Sequence, residues 1–429
     1  MTRRGALVLS LLAVIGVLPG SAGAAERFAP VDAPDPGLSV DAAAVEKAML
    51  CSAGVDGAAR TPVLLLQGTG ATAKDNWSWT YQPALDKLGV PWCALDLPEQ
   101  ASADIQQAGE YVVHALWNMS ARAKRKVSII GHSQGGMVGR WALRWWPATR
   151  GLVDDLIGFA PSNHGTTEAT CSTESPCSPA GWQQRDESDF IRALNSRQET
   201  FAPISYTSIY TRTDETVKPN QDAETGSSSL RTGDGLRTNV ATQDICPAAT
   251  YEHLLIGLID PVAYALAVDA LTHPGPADPA RIDRGVCAQA FHPGINPVTA
   301  PVDGAAAAAS FASYEARTVP AEPRLACYTT ASCGPAGSGV GTTGIVPARL
   351  VKPYCQSRRR FAVTFRALRP GVRATLAGKP LRLRRLKDKR LRGTVDLRKR
   401  RRQTVHVVVR GKDRRGRDVK LVRRYRTCR

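Results

Sequence analysis

A serine framed by glycines, Gly131-His132-Ser133-Gln134-Gly135, follows the apolar run "KVSII" and precedes "MVGRWALRWW". A serine hydroxyl is a weak nucleophile. It needs a base to take its proton and an acid to orient that base. On a sharp turn from a strand into a helix, the hydroxyl stands clear of its own backbone. The first N–H groups of the helix then face the place where negative charge would collect. An ordinary tight turn would use the same glycines. The apolar strand before them and the amphipathic helix after them favour the nucleophile, and the turn points to acyl transfer.

The partners are sought downstream, because a serine on such a turn is followed in the chain first by its acid and then by its histidine. Five histidines follow Ser133: His164, His253, His273, His292 and His406. His406 sits in a basic β-patterned region, and His273 and His292 each precede a proline. His164 directly follows a strand pattern. His253 precedes "LLIGLID" and follows a polar loop, and it is the favoured base. Asp214 stands just past the strand-like "ISYTSIYT", where α/β sheets place functional side chains. It is the favoured acid, with Asp234, Asp244 and Glu215 in reserve. An oxyanion needs two donors. One is the backbone N–H of Gln134, and the other comes from "QGTGATA", where Thr69 offers its N–H and its hydroxyl.

These residues need a frame. "PVLLLQG", "PWCALDLP", "KVSIIG", "VDDLIGFAP" and "ISYTSIYT" are apolar, β-rich runs separated by helical patterns such as "ADIQQAGEYVVHALWNMSARA". "VDAAAVEKAML" reads as a short helix ahead of them. Buried strands alternating with helices predict a mostly parallel α/β sheet. Beyond "GPAGSGVGTTGIVP", a linker composition, the period changes to two: Phe361, Val363, Phe365; then Leu391, Val395, Leu397 with Gly393 in phase; then Val405, Val407, Val409. That predicts a small β-sandwich-like module.

The chain of 429 residues is long enough for one large and one small domain. It opens with Arg3 and Arg4, an apolar stretch from Ala6 to Leu18 and Ala22-Gly23-Ala24, the pattern of a cleaved export signal. No later run reads as long and apolar enough for a membrane helix, so a secreted mature chain starting near Ala25 is predicted. The expected segments are 1–24 signal, 25–333 catalytic domain, 334–350 linker and 351–429 basic module. Ten cysteines in an exported chain favour disulfides over metal ligation. Proximity in sequence suggests Cys51–Cys93, Cys171–Cys177 and Cys246–Cys287. Cys327–Cys333 with Cys355–Cys428 is one of three pairings open to the remainder. No metal or cofactor is expected, and the protein is expected to be a monomer. The net charge of +18 is unevenly placed: residues 351–429 carry 30 Lys and Arg against 4 Asp and Glu. Such a field suits an anionic surface, a wall polymer or acidic lipid. Nucleic acid is not expected, because few aromatics interleave the basic residues.

In their order and spacing, "LLLQGTGATA", "HSQGGMVGRWALRWWP", "GFAPSNHGTT", "WQQ", "IYTRTDETVKP" and "CPAATYEHLLIGLIDPVAYALAVDAL" resemble the lipase B family of α/β-hydrolases. The likeness spans roughly residues 43–287. It implies a metal-independent serine lipase or esterase acting on an ester or lipid at an interface. Carried over by motif, Ser133 is the nucleophile, Asp214 the acid and His253 the base, with Thr69 and Gln134 forming the oxyanion hole. Cys51–Cys93 and Cys246–Cys287 match bridges of that family. Gly131-His132 replaces the Thr-Trp of the family's yeast member, and Ser162 replaces its aspartate beside the acyl pocket. The basic module has no counterpart there. Two other readings remain: the same machinery on a polyester, phospholipid or cell-envelope ester, and an inert secreted binding protein.

Overall fold

The computed structural model describes residues 27–332 and, nearer the C-terminus, 360–365, 370–386, 391–396, 404–412 and 418–426. The expected signal (1–24) and linker (334–350) lie outside the described residues. The chain divides into two compact units, Met1–Val340 and Gly341–Arg429.

In the first unit the apolar runs form strands because both of their faces are covered. In β2 (Val63–Leu66), Leu64 and Leu66 join one core cluster while Val63 and Leu65 join another, and all four are buried. Successive side chains of a strand point to opposite faces, so a strand with helices on both sides has no polar positions to spare. β3 (Trp92–Leu95), β4 (Val127–His132), β5 (Val153–Phe159) and β6 (Ser205–Tyr210) follow the same logic. With β1 (Met49–Cys51) and β7 (Leu236–Ala241) they make a seven-stranded sheet ordered β1-β3-β2-β4-β5-β6-β7. All neighbours are parallel except β1, which runs antiparallel to β3.

Two of these strands depart from expectation. The predicted helix "VDAAAVEKAML" covers only Ala42–Lys47, and its last residues turn into β1. There Cys51 pairs in register with Cys93, to which it is disulfide-bonded. β7 gives no apolar signal because it is an edge strand: its first residues face solvent and only Val240 and Ala241 are buried.

A further expectation is corrected. The stretch His253–Thr272 is long and apolar enough, by composition, to cross a membrane. It is broken into a short helix, His253–Ile256, and a longer one, Pro261–Thr272, capped by Asp260, in which Val262, Ala263, Leu266, Ala267 and Ala270 are buried in the core. Composition alone does not distinguish a core helix from a span.

The bridges Cys171–Cys177 and Cys246–Cys287 are also present. Cys327 is disulfide-bonded too. The pairings expected for Cys333, Cys355 and Cys428 lie outside the described residues.

The second unit is antiparallel throughout its described strands. β10 (Lys379–Pro380), β9 (Arg373–Leu376), β13 (Thr404–Lys412) and β14 (Asp418–Arg426) form one sheet, and β11 (Leu383–Arg385), β12 (Leu391–Asp396) and β8 (Arg360–Phe365) another. Val363, Leu391 and Val395 of one sheet pack with Ala374, Leu376, Val407 and Val409 of the other. Gly393 lies in phase with them. A Cβ there would come within 2.7 Å of the tip of the Leu383 side chain, which would have to shift to admit it. Residue period two thus yields two packed sheets.

Candidate active site

Sheet order locates the crevice. The chain runs from β2 out to β3, then returns to place β4 on the other side of β2. Ligands of open α/β sheets bind at the carboxyl ends of strands flanking such a reversal. Thr69 follows β2 there, and Ser133 follows β4.

Ser133 has φ 55° and ψ −124°, a positive φ outside the regions that side chains favour. Its neighbours make that turn possible. A Cβ on Gly131 would lie 2.3 Å from Gly135, and one on Gly135 would lie 2.1 Å from the carbonyl oxygen of Leu66. The helix Gln134–Trp145 therefore starts almost in contact with β2 and β4. Every residue of this helix is buried.

The three favoured residues converge. Ser133 Oγ lies 3.0 Å from His253 Nε2, and His253 Nδ1 lies 3.1 Å from Asp214 Oδ2. Asp214 sits on the turn after β6. Its Oδ1 accepts from the N–H groups of Thr216 at 2.9 Å and Val217 at 2.7 Å, and its Oδ2 accepts from Asn220 at 3.3 Å. Buried and held by three other donors, the carboxylate has one orientation in which to receive the imidazole N–H.

The carbonyl side is equally ordered. Thr69 Oγ1 receives the amide N–H groups of Gln134 at 2.8 Å and Gln184 at 2.9 Å, and Gln184 Oε1 accepts the hydroxyl of Ser162 at 2.9 Å. A hydroxyl oxygen with both acceptor sites used still has its own proton to give. The N–H of Gln134, the first of its helix, has no intrahelical carbonyl to meet. A cavity of about 730 Å³ opens here, bounded by Ser133, His253, Thr69 and Gln184 and by the small residues Gly304 and Ala307. These last two belong to the helix Ala300–Ser313, which has one buried residue, Ala300, and exposes Val302 and Phe311.

One connection was not expected. His132 lies in the elbow motif but carried no separate role. Its Nδ1 accepts from Asn76 at 3.0 Å, and its Nε2–H donates to the carbonyl of His253 at 2.9 Å. Asn76 in turn accepts from the N–H of Gly68 at 3.0 Å. Gly257 makes room for the ring, since a Cβ there would lie 2.3 Å from it. Complete burial, with His253 beside it, holds the His132 pKa down at about 3, so the ring is neutral. The neutral ring thus links the loop of Thr69 to the loop of His253.

The other titrating residues lie elsewhere. His164 pairs with the buried Glu199 at 3.5 Å. His273 pairs with Asp269. His292 is buried, its Nε2–H donating to the carbonyl of Leu258. His406 is on the second unit. Asp234 accepts from Gln198 and the N–H of Ala202, and Asp244 pairs with Arg212. Glu215 borders the cavity, but its carboxylate accepts the backbone N–H of His253 and does not reach the ring. Among the described residues no cluster of His, Cys, Asp or Glu suits a metal ion.

The sequence model of the Lipase (class 2) family matches residues 115–244. Lipase B of Pseudozyma antarctica is 30% identical over 251 residues, 57% of this chain and 72% of that protein. The chain belongs to the lipase B family. The crystal structure of Aspergillus fumigatus lipase B agrees: TM-score 0.63 and 29% identity, covering 69% of this chain and 74% of that one. As a lipase B relative with an α/β-hydrolase fold, the protein is a carboxylic ester hydrolase of the lipase type.

Proposed function

We propose that the protein is a secreted serine lipase or esterase working through an acyl-enzyme. Ser133 Oγ attacks the ester carbonyl while His253 Nε2 takes its proton. The tetrahedral oxyanion is held by the N–H of Gln134 and by Thr69. As the intermediate collapses, His253 returns the proton to the leaving alcohol, and the acyl group stays on Ser133. Water, deprotonated by the same imidazole, then releases the acid and restores the serine. Asp214 keeps the imidazole in the productive tautomer and stabilises its charged form.

The observation that carries this reading is the continuous path Ser133 Oγ–His253 Nε2 and His253 Nδ1–Asp214 Oδ2, at 3.0 and 3.1 Å. The test is Ser133→Ala. Turnover should fall by at least about 10⁴-fold, with an unchanged melting curve, and fluorophosphonate labelling should vanish. A variant that keeps most of its esterase activity would show another nucleophile.

The disulfides support an extracellular location. Exposed Leu254 and Phe311, which also border the cavity, support a substrate met at an apolar interface. Hydrolysis of p-nitrophenyl esters from C2 to C16, with and without an emulsion, places the acyl preference. The basic residues of 351–429 are read as a tether to an anionic surface, separate from the chemistry.

A further inference from the structure

The sheet β10-β9-β13-β14 has one face turned to the core and one turned to water. Val407 and Val409 of β13 and Ala374 and Leu376 of β9 are buried. The alternate positions, His406 and Arg410 on β13 and Arg373 on β9, are exposed, with Thr375 and Val408 half-buried between them.

Register then does something unfavourable. Arg410 stands directly opposite Arg373, and Val408 opposite Thr375. Directly opposed residues have Cβ atoms about 4.5–5.5 Å apart, and like charges at that spacing destabilise a sheet. On the other flank the register sets Lys420 opposite Arg410 and Arg424 opposite His406. Among the described residues no carboxylate pairs with Arg373 or Arg410. The fold does not require these cations, because the core of this unit is complete without them.

The face is also recessed. Arg373, Thr375, His406, Val408 and Arg410, with Ala377 and Gly378, line a hollow of about 530 Å³. Ala377 and Gly378 both have positive φ, and the N–H of Ala377 donates to the carbonyl of His406 at 2.8 Å, which folds this turn against β13.

We propose that this hollow seats a single linear polyanion, a chain bearing phosphate or carboxylate groups, with Arg373 and Arg410 gripping one anionic group between them. An anion between two guanidinium forks removes the cross-strand repulsion and accepts paired hydrogen bonds from each. A chain enters a recess that a flat bilayer spans. Among the described residues of this unit no large apolar side chain is exposed, whereas the catalytic unit exposes Leu254, Val298, Val302 and Phe311. The lining carries no Phe, Tyr or Trp on which bases would stack, so charge and spacing are what it reads. The inference rests on the reading of this unit as a charge tether and gives that tether a specific seat.

The experiment uses the full-length protein. Binding to inorganic polyphosphate, to polygalacturonate and to vesicles containing phosphatidylglycerol is measured across salt, for wild type, for Arg373→Gln/Arg410→Gln, and for Arg384→Gln/Arg392→Gln. The last pair removes the same charge from the other sheet. Wild type should bind one or both polymers, which also shows whether phosphate or carboxylate is preferred. Losing the hollow's pair should weaken binding about tenfold at 0.15 M salt and flatten the log–log salt slope by about 1.4, the effect of two lost contacts. The control pair should cost less than about threefold, and hydrolysis of a soluble ester should be unchanged in both variants. If the two pairs weaken binding equally, the tether stands but the seat falls. Binding to vesicles with none to either polymer also overturns the seat. If wild type binds none of the three probes, the tether itself is wrong.

Discussion

Thr69→Val is the sharpest probe of the carbonyl side. Valine keeps the branched shape and the backbone N–H, and removes only the hydroxyl. Both acceptor sites of that hydroxyl are filled, by Gln134 Nε2 at 2.8 Å and Gln184 Nε2 at 2.9 Å, so its proton is turned away from both amides. The lost interaction is therefore one donor to the oxyanion, worth about 2.7–4 kcal/mol, or about 10²–10³ in kcat. KM should change little, because the ground-state carbonyl carries less charge than the oxyanion. The amides are not orphaned: Gln134 Nε2 still reaches the carbonyl of Ala101, and Gln184 Nε2 that of Ala180 at 3.3 Å. Stability should fall by no more than about 1 kcal/mol. Thr69→Ser, which restores the hydroxyl, should recover most of the rate. The assay is single-turnover acylation by p-nitrophenyl butyrate, with a thermal melt alongside. A valine variant within threefold of wild-type kcat would refute the hydroxyl as a donor. A large loss shared equally by valine and serine would show that the side chain acts through packing.

Three further perturbations test the frame. Gly135→Ala places a Cβ 2.1 Å from the carbonyl oxygen of Leu66, so the elbow must move; a stability loss of about 3 kcal/mol and near-complete loss of activity are expected in denaturant titration and ester hydrolysis. Burial raises the Asp155 pKa to about 7, against a lowering hydrogen bond from Ser128. A raised acid contributes stability that is complete below its unfolded value near 3.8 and lost as pH rises through about 7. Asp155→Asn, which cannot ionise, should therefore gain on wild type in melting temperature between pH 5 and pH 8.5; a constant difference would contradict the shift. Replacing Cys51 and Cys93 by alanine opens a loop with a sequence separation of 42 and should cost about 4 kcal/mol, read by urea unfolding.

Central strands were legible because burial on both faces leaves a continuous apolar run, as in "VLLL" of β2. β1 and β7 were not. One is three residues long, and the other is half polar because it lies at an edge. The elbow was legible from a strand, two glycines and a helix in a row. The choice of His253 over four other histidines rested on chain order and on family likeness. Only the fold brings residues 133, 214 and 253 together. Nothing local marks the path Gly68–Asn76–His132–His253, since Asn76 and His132 are 56 residues apart. Nor does the sequence announce that Arg373 faces Arg410. That depends on "RATL" being a strand, and this run lacked the length and alternation to declare itself.

The helix Ala300–Ser313 divides labour along the chain. The nucleophile stands at a buried strand end, and its partners on a turn and a short helix beside it, packed so closely that a single methyl group at Gly135 would collide with the backbone. The wall of the cavity on this side comes from a later stretch, rich in alanine, with one residue in the core and apolar side chains in solvent. Substitutions there should change which acyl or alcohol groups enter without replacing any residue of the proton path. Substrate range can therefore drift, or be redesigned, at little risk to the fold, and this helix is where a library aimed at new esters should begin.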